Sequence, residues 1–270
     1  MQAPHEPPLQ PLAGGTDLYV YLNAGTLPPC TFLDLSLLDE LRQISATDAA
    51  VEIGALASFA AIQHHGQLRA EFPMLLQAAS VIGAVQIQNR ASLGGNIANG
   101  SPAGDSLPVL LAYDAAIQVA SKSGRRQIPF SEFYTGYRRS QAHPDELIEK
   151  IILPRKTPTG KVHQAFRKIG TRRAQAISKV VAALWMEVVD KKVGDCRIAY
   201  GSVAPTPVRL QSVEATLRDK PLEDETIHRA LKDLQASIVP IDDVRSTAAY
   251  RKQVSENLLR RFLEDSAISI

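Results

Sequence analysis

Ala91-Ser92-Leu93-Gly94-Gly95-Asn96-Ile97-Ala98-Asn99-Gly100-Ser101-Pro102-Ala103-Gly104-Asp105 is the stretch on which the fold turns. From Gly83 to Asp105 the chain is rich in Gly, Asn, Ser and Ala, too polar for a packed core element and too patterned for a linker. An earlier segment, Ala13-Gly14-Gly15-Thr16-Asp17, repeats the device of paired glycines after apolar residues. Such pairs let backbone N–H groups approach an anion without Cβ interference, and a diphosphate is the natural guest. Thr16, Ser92 and Ser101 add hydroxyl donors, and neither loop contains Lys or Arg, so neutral donors carry the recognition. The pattern is neither GxGxxG after a strand nor GxxxxGK[ST], which disfavours a Rossmann site and a P-loop.

Working outward, Leu9 to Ala13 is a short strand entering the first turn, and Thr16 or Asp17 is expected to cap a helix or turn directly after it. Thr31 to Leu35 and Val51 to Leu56 read as strands, and Leu37, Leu38, Leu41 and Ile44 as one face of a short helix. Ser58 is a helix N-cap, and Phe72 to Ile82 has helical spacing closed by Gly83. Leu107 to Leu111 and Ala115 to Ala120 resume apolar patterning, and Ile148 to Leu153 is a strand ended by Pro154. After the Pro/Gly segment at Thr157 to Lys161, three stretches alternate as antiparallel strands: Val162 to Ile169, Ala182 to Val189 and Arg197 to Val203. Two helices come after them, the last with Tyr250, Val254, Leu258 and Phe262 on one stripe widened by Leu259 and Leu263. The expected class is α+β. Its expected division is a first domain over 1–156, in subdomains 1–50 and 51–156, and a second over 157–270 with a three-stranded antiparallel sheet and helices.

Composition bounds the function. The chain has 270 residues with 30 basic and 28 acidic side chains interspersed, so no single-sign field marks nucleic acid as a partner. No run of about 18 apolar residues suggests membrane insertion, and the proline-rich start at Met1 to Gln10 has no basic, then apolar, leader pattern; the expected place is the cytoplasm. Cys30 and Cys196 fit a reducing compartment and are too few to hold an iron–sulfur cluster or structural zinc. His64, His65 and His143 have no partner at ligand spacing, no nucleophile–base pattern occurs, and no metal is expected. Arg138-Arg139, Arg172-Arg173 and Lys191-Lys192 read as solvated faces or subunit contacts in preference to phosphate clamps.

The run from Gln86 through Asp105 resembles the FAD-binding medium subunit of the xanthine dehydrogenase and carbon monoxide dehydrogenase family, and Ala13 to Asp17 is similar to that family's other flavin-contacting turn. Phe133-Tyr134-Thr135-Gly136-Tyr137, Phe166-Arg167-Lys168-Ile169-Gly170-Thr171-Arg172 and Gly201-Ser202-Val203-Ala204-Pro205-Thr206-Pro207-Val208-Arg209 come in the family's order. The resemblance implies the vanillyl-alcohol-oxidase (PCMH) type of FAD-binding fold. It also implies FAD as cofactor, a molybdenum-cofactor large subunit and an iron–sulfur small subunit as partners, and an electron acceptor such as NAD. The family usually carries a strand and helix before the first Gly-Gly turn, whereas this chain starts almost at that turn, so the expectation is that either the start is truncated or part of the first subdomain is missing.

By the same resemblance Leu12, Ala13, Gly14, Gly15, Thr16, Asp17 and Leu18 would wrap the diphosphate region. Ile87, Ala91, Ser92, Gly94, Gly95, Asn96, Ala98, Gly104 and Asp105 would complete the site, with Asp105 facing a ribityl or ribose hydroxyl. Ile82, Ile152 and Leu153 would line the isoalloxazine pocket, and Lys168 would lie near the ring, where a cation stabilises the anionic reduced flavin. No residue is expected to act on an organic substrate. Two other readings compete: a nucleotide-binding module without redox turnover, and a stand-alone flavin oxidase of the same broad fold.

Overall fold

The computed structural model describes residues 8–172 and 175–268. Most of the proline-rich start, and Arg173 of the Arg172-Arg173 pair, lie outside them. The chain opens with β1 (Leu9–Leu12), α1 (Thr16–Asn23) and β2 (Thr31–Asp34), in which the two strands pair in parallel with Leu9 opposite Thr31. Next come a short 3-10 turn (Asp39–Arg42), β3 (Ile44–Ala46), β4 (Ala50–Gly54), α2 (Phe59–His64), α3 (Gly66–Glu71) and α4 (Pro73–Ser80). The Gly-rich stretch holds α5 (Val85–Arg90) and α6 (Leu93–Asn99), followed by α7 (Leu107–Ala112). Then β5 (Ala116–Ser121), β6 (Gly124–Pro129), α8 (Phe130–Phe133), β7 (Tyr134–Gly136), β8 (Arg139–Ser140) and β9 (Leu147–Pro154) complete a five-stranded antiparallel sheet, β3-β4-β9-β5-β6, and a small hairpin, β7-β8.

The remaining chain forms β10 (Lys161–Ile169), β11 (Val180–Val189), β12 (Lys192–Gly201) and β13 (Val208–Arg209), then α9 (Gln211–Leu217), α10 (Asp224–Ser237) and α11 (Ala248–Ile268). β11 is nearly all apolar because it is covered on both faces. Val181, Ala183 and Trp185 enter the same core as Ile53, Leu93 and Leu107, while Val180, Ala182, Leu184 and Met186 join the core made with α9, α10 and α11. The first core therefore runs continuously from the five-stranded sheet into the C-terminal one. Arg197, itself buried, stacks over Trp185 at 4.2 Å and pairs with Asp114 and Asp195, tying β12 to the end of α7.

Several sequence expectations are corrected. Leu37, Leu38, Leu41 and Ile44 share no helical face: Leu37 is exposed, and Ile44 is drawn into the five-stranded sheet opposite Ile53. That sheet thus takes in residues before the expected subdomain limit at 50. The polar stretch after Gly83 is helical because Leu93 and Ile97, one turn apart, both reach the core. β6 escaped notice because only Ile128 on it is buried. The C-terminal sheet has a fourth, two-residue strand beside its three long ones, and three helices come after it where two were expected. On α11 the buried face is Arg251, Ser255, Leu259, Phe262, Leu263 and Ser266, rotated away from Tyr250. Polar residues can sit there because Ser255 and Ser266 bond back to carbonyls one turn earlier, and Arg251 donates to the carbonyls of Lys179 and Ser202. Among the described residues no helix is long and apolar enough to cross a membrane.

Candidate functional site

A cleft of roughly 1350 Å³ opens where β1, α1, the α5–α6 segment and the C-terminal sheet converge. Its floor is set by close backbone approaches. A Cβ on Gly14 would overlap the carbonyl of Arg90, so the first turn is seated directly on the end of α5. Gly94 is held against Ala55, where a Cβ would come within 2.6 Å of the Ala55 side chain. Both glycines therefore join backbone to backbone. Gly15 has φ of +73° and Gly95 has only the Ser92 hydroxyl near its Cβ position, at 2.9 Å, and both line the cleft.

The two turns differ in what their N–H groups do. In the second, Leu93 N–H donates to Ala57, Gly94 N–H to Ala55, and Gly95 N–H to the Ser92 hydroxyl, which caps α6. In the first, α1 starts at Gly15 with no side-chain cap, so neither Thr16 nor Asp17 plays the expected capping role. No side chain caps the opening N–H groups of α1, and Gly15, Thr16, Asp17 and Leu18 line the cleft, so this helix start is available to an anion. Asn96 accepts from Ser106 and Asn99 from Tyr21, each through Oδ1, which leaves their amide nitrogens as donors.

Most residues singled out from the sequence come together here. Ala13 through Leu18, Ile82, Ile87, Ala91, Ser92, Gly95, Asn96, Ala98, Gly104, Asp105 and Lys168 all line the cleft. Leu12, Gly94, Ile152 and Leu153 do not. Gly94 is spent on Ala55 and Leu12 ends β1 beneath the turn, while Ile152 and Leu153 lie in β9 between β4 and β5, where Leu153 fills the core. Ile152 and Leu153 thus do not line this cleft.

Asp105 is held by partners within the protein. Its Oδ2 accepts from Lys168 Nζ at 2.6 Å and its Oδ1 from the Ser178 hydroxyl, with both ionic side chains about nine-tenths buried. Lys168 further donates to the Val81 carbonyl at 2.9 Å. Burial pushes the Asp105 carboxyl above its ordinary range, against the pull of Lys168 and Ser178. A carboxylate has about four acceptor positions, so these two bonds do not exhaust its accepting capacity.

Sequence reasoning missed the far wall, where Ser178, Ser202, Asp243, Arg245 and Arg251 enter the cleft. Arg251 and Arg245 both pair with Asp243. Ser202 lies in the Gly201 to Arg209 motif but was given no site role, and no short motif marks Ser178, Asp243, Arg245 or Arg251, which reach the cleft only through the folding of the C-terminal sheet and α11.

Comparison with known proteins identifies the family. Residues 1–156 match the family described as FAD binding domain in molybdopterin dehydrogenase, and residues 164–266 match the CO dehydrogenase flavoprotein C-terminal domain. The chain is 30% identical over 260 residues to the nicotinate dehydrogenase FAD-subunit of Eubacterium barkeri, covering 94% of this chain and 86% of that one. It is 30% identical over 256 residues to the xanthine dehydrogenase FAD-binding subunit of Escherichia coli O157:H7, covering 94% and 87%. Among solved structures it superposes on a chain of carbon monoxide dehydrogenase from Hydrogenophaga pseudoflava with a TM-score of 0.89 at 27% identity, covering 94% and 87%.

Proposed function

The chain belongs to the family of FAD-binding subunits of molybdopterin dehydrogenases, and on that footing we propose that it is the electron-carrying flavoprotein of a molybdenum hydroxylase assembly. In this reading it stands between an iron–sulfur small subunit, which draws electrons from a molybdenum-cofactor large subunit, and an acceptor such as NAD. The observation that carries it is the uncapped start of α1 opening into the cleft beside the Gly-rich floor. The two cysteines, both free, suit a cytoplasmic setting.

FAD, when bound, supplies the redox chemistry. The chain's own residues position it. The first-turn N–H groups would hold the diphosphate, Ser92 and the amide nitrogens of Asn96 and Asn99 would add donors, and Ile82 and Ile87 would offer apolar contact to the ring system. Lys168 would place positive charge at the cofactor, but as one half of a buried pair, so its field depends on the charge state of Asp105.

Mass analysis of the cofactor released from the purified chain tests the reading: FAD is expected, and FMN or no flavin would overturn it. The isolated chain loaded with FAD should hydroxylate no purine, aldehyde or aromatic heterocycle, and co-purify with molybdenum and iron–sulfur subunits when all are present. Hydroxylation by the chain alone would contradict the division of labour.

A further inference from the structure

The two glycine turns contain no cation, yet a diphosphate carries about two negative charges, and a helix start offers only about half a positive one. Other cations of the cleft are already engaged: Lys168 by Asp105, and Arg245 and Arg251 by Asp243. Arg138, read from the sequence as part of a solvated face or a subunit contact, is different. It lines the cleft, and its guanidinium makes no hydrogen bond or ion pair among the described residues. Its guanidinium instead lies 5.5 Å from the ring centre of Tyr21 on α1 and 5.7 Å from that of Tyr137.

This placement is built into the backbone. Arg138 adopts φ of +52°, a left-handed conformation that side-chain-bearing residues rarely take. The β7–β8 turn that carries it rests on the end of α6. There Tyr134 donates its hydroxyl to the Ile97 carbonyl at 2.7 Å, and the Arg138 Cα lies 3.5 Å from where a Gly100 Cβ would be. Tyr21 is fixed in turn by its 2.7 Å hydrogen bond to Asn99. The guanidinium is thus aimed from one wall of the cleft at the helix that starts the other. Asp17, in the first turn of α1, feels it: burial raises the carboxyl's pKa, and Arg138 is the charge that opposes the rise.

We propose that Arg138, held between the Tyr21 and Tyr137 rings, is the cation that meets the FAD diphosphate and supplies the charge the two glycine turns lack. The inference rests on the FAD reading above. An arginine suits the role because its flat guanidinium can stack on aromatic faces while its edge donates to phosphate oxygens.

The test uses the full chain stripped of flavin and titrated separately with FAD and with riboflavin, which has no phosphate. R138Q should weaken FAD binding about tenfold or more while leaving riboflavin affinity unchanged, and should flatten the salt dependence of FAD affinity. R138K, which keeps the charge but loses the flat stacking group, should fall between wild type and R138Q. R139Q, outside the cleft, should bind FAD like wild type. FAD affinity unaltered in R138Q, or FAD and riboflavin weakened equally, would overturn the proposal while leaving FAD binding intact. If R138Q does not fold, R138K decides: a loss of FAD affinity with riboflavin affinity unchanged supports the proposal, and an unaltered FAD affinity or an equal loss for both ligands refutes it. Failure of the wild-type chain to bind FAD would instead overturn the FAD reading, and this inference with it.

Discussion

Gly14-Gly15 and Gly94-Gly95 are the same dipeptide behind an apolar residue, and both stand where a helix begins, but the fold puts them to different uses. In each pair the first glycine allows backbone to touch backbone: Gly14 on Arg90 and Gly94 on Ala55. The helices behind them then diverge. α6 is capped by Ser92, and its first N–H groups are bonded to the segment around Ala55 and Ala57. α1 has no side-chain cap and opens to the cleft. A glycine pair therefore does not by itself report an anion site; what reports it is a helix start whose donors the protein leaves unused.

The largest expected effect tests the shared seam. Gly14→Ala drives a methyl into the Arg90 carbonyl, so it should cost more than about 3 kcal/mol of stability and remove flavin at the same time, read by thermal melting and flavin content. A folded, yellow variant with unchanged melting would mean the two turns are not seated on one another. Next in size is Lys168→Ala, whose side chain reaches the end of the second Gly-rich segment. It strands the buried Asp105 carboxylate and should cost about 3 kcal/mol at neutral pH, with Asp105→Asn in the same chain restoring much of the loss. No recovery in the double variant would show that the pair is not coupled.

A finer comparison sets the two helix starts side by side. Ser92→Ala removes a true cap and should lower stability by about 1 kcal/mol. Thr16→Ala removes none, so stability should stay within about 0.5 kcal/mol and only FAD affinity should fall. Equal stability losses would erase the distinction between capped and open starts.

The smallest effect is a pH dependence at Asp17. Burial raises its carboxyl pKa in the folded chain, so the folded state binds the proton more tightly than the unfolded one. The stability this gives is full at pH below the unfolded carboxylate range and is lost as pH rises through the raised folded value. Asp17→Asn should thus add less than about 0.5 kcal/mol relative to wild type at pH 7, with no gain at pH 3, because the site is partly open to solvent. A gain that is larger at pH 3 would reverse the sign and the argument.

Much of the molecule was legible in its residues. The first turn, the Ser58 cap and the long C-terminal strands could be named from local pattern, because turns, caps and period-two strands are encoded within a few positions, whereas most of the expected site residues came from the family resemblance. What stayed hidden depends on distant partners. The sequence shows Leu93 and Ile97 inside a polar stretch but not the core that receives them, and it shows Ile152 and Leu153 without showing that β4 and β5 enclose them. Arg138 was set aside as part of a solvated face or a subunit contact because nothing near it in sequence reveals the Tyr21 ring more than a hundred positions away.

The most direct measurement is amide hydrogen exchange in the flavin-free and FAD-bound chain. The account predicts that Leu93 and Gly94 are protected in both states, since their N–H groups are already bonded, whereas Thr16, Asp17 and Leu18 exchange freely without flavin and slow by about tenfold or more when FAD binds. Protection at Leu93 and Gly94 that appears only with FAD, with Thr16 to Leu18 unchanged, would contradict it.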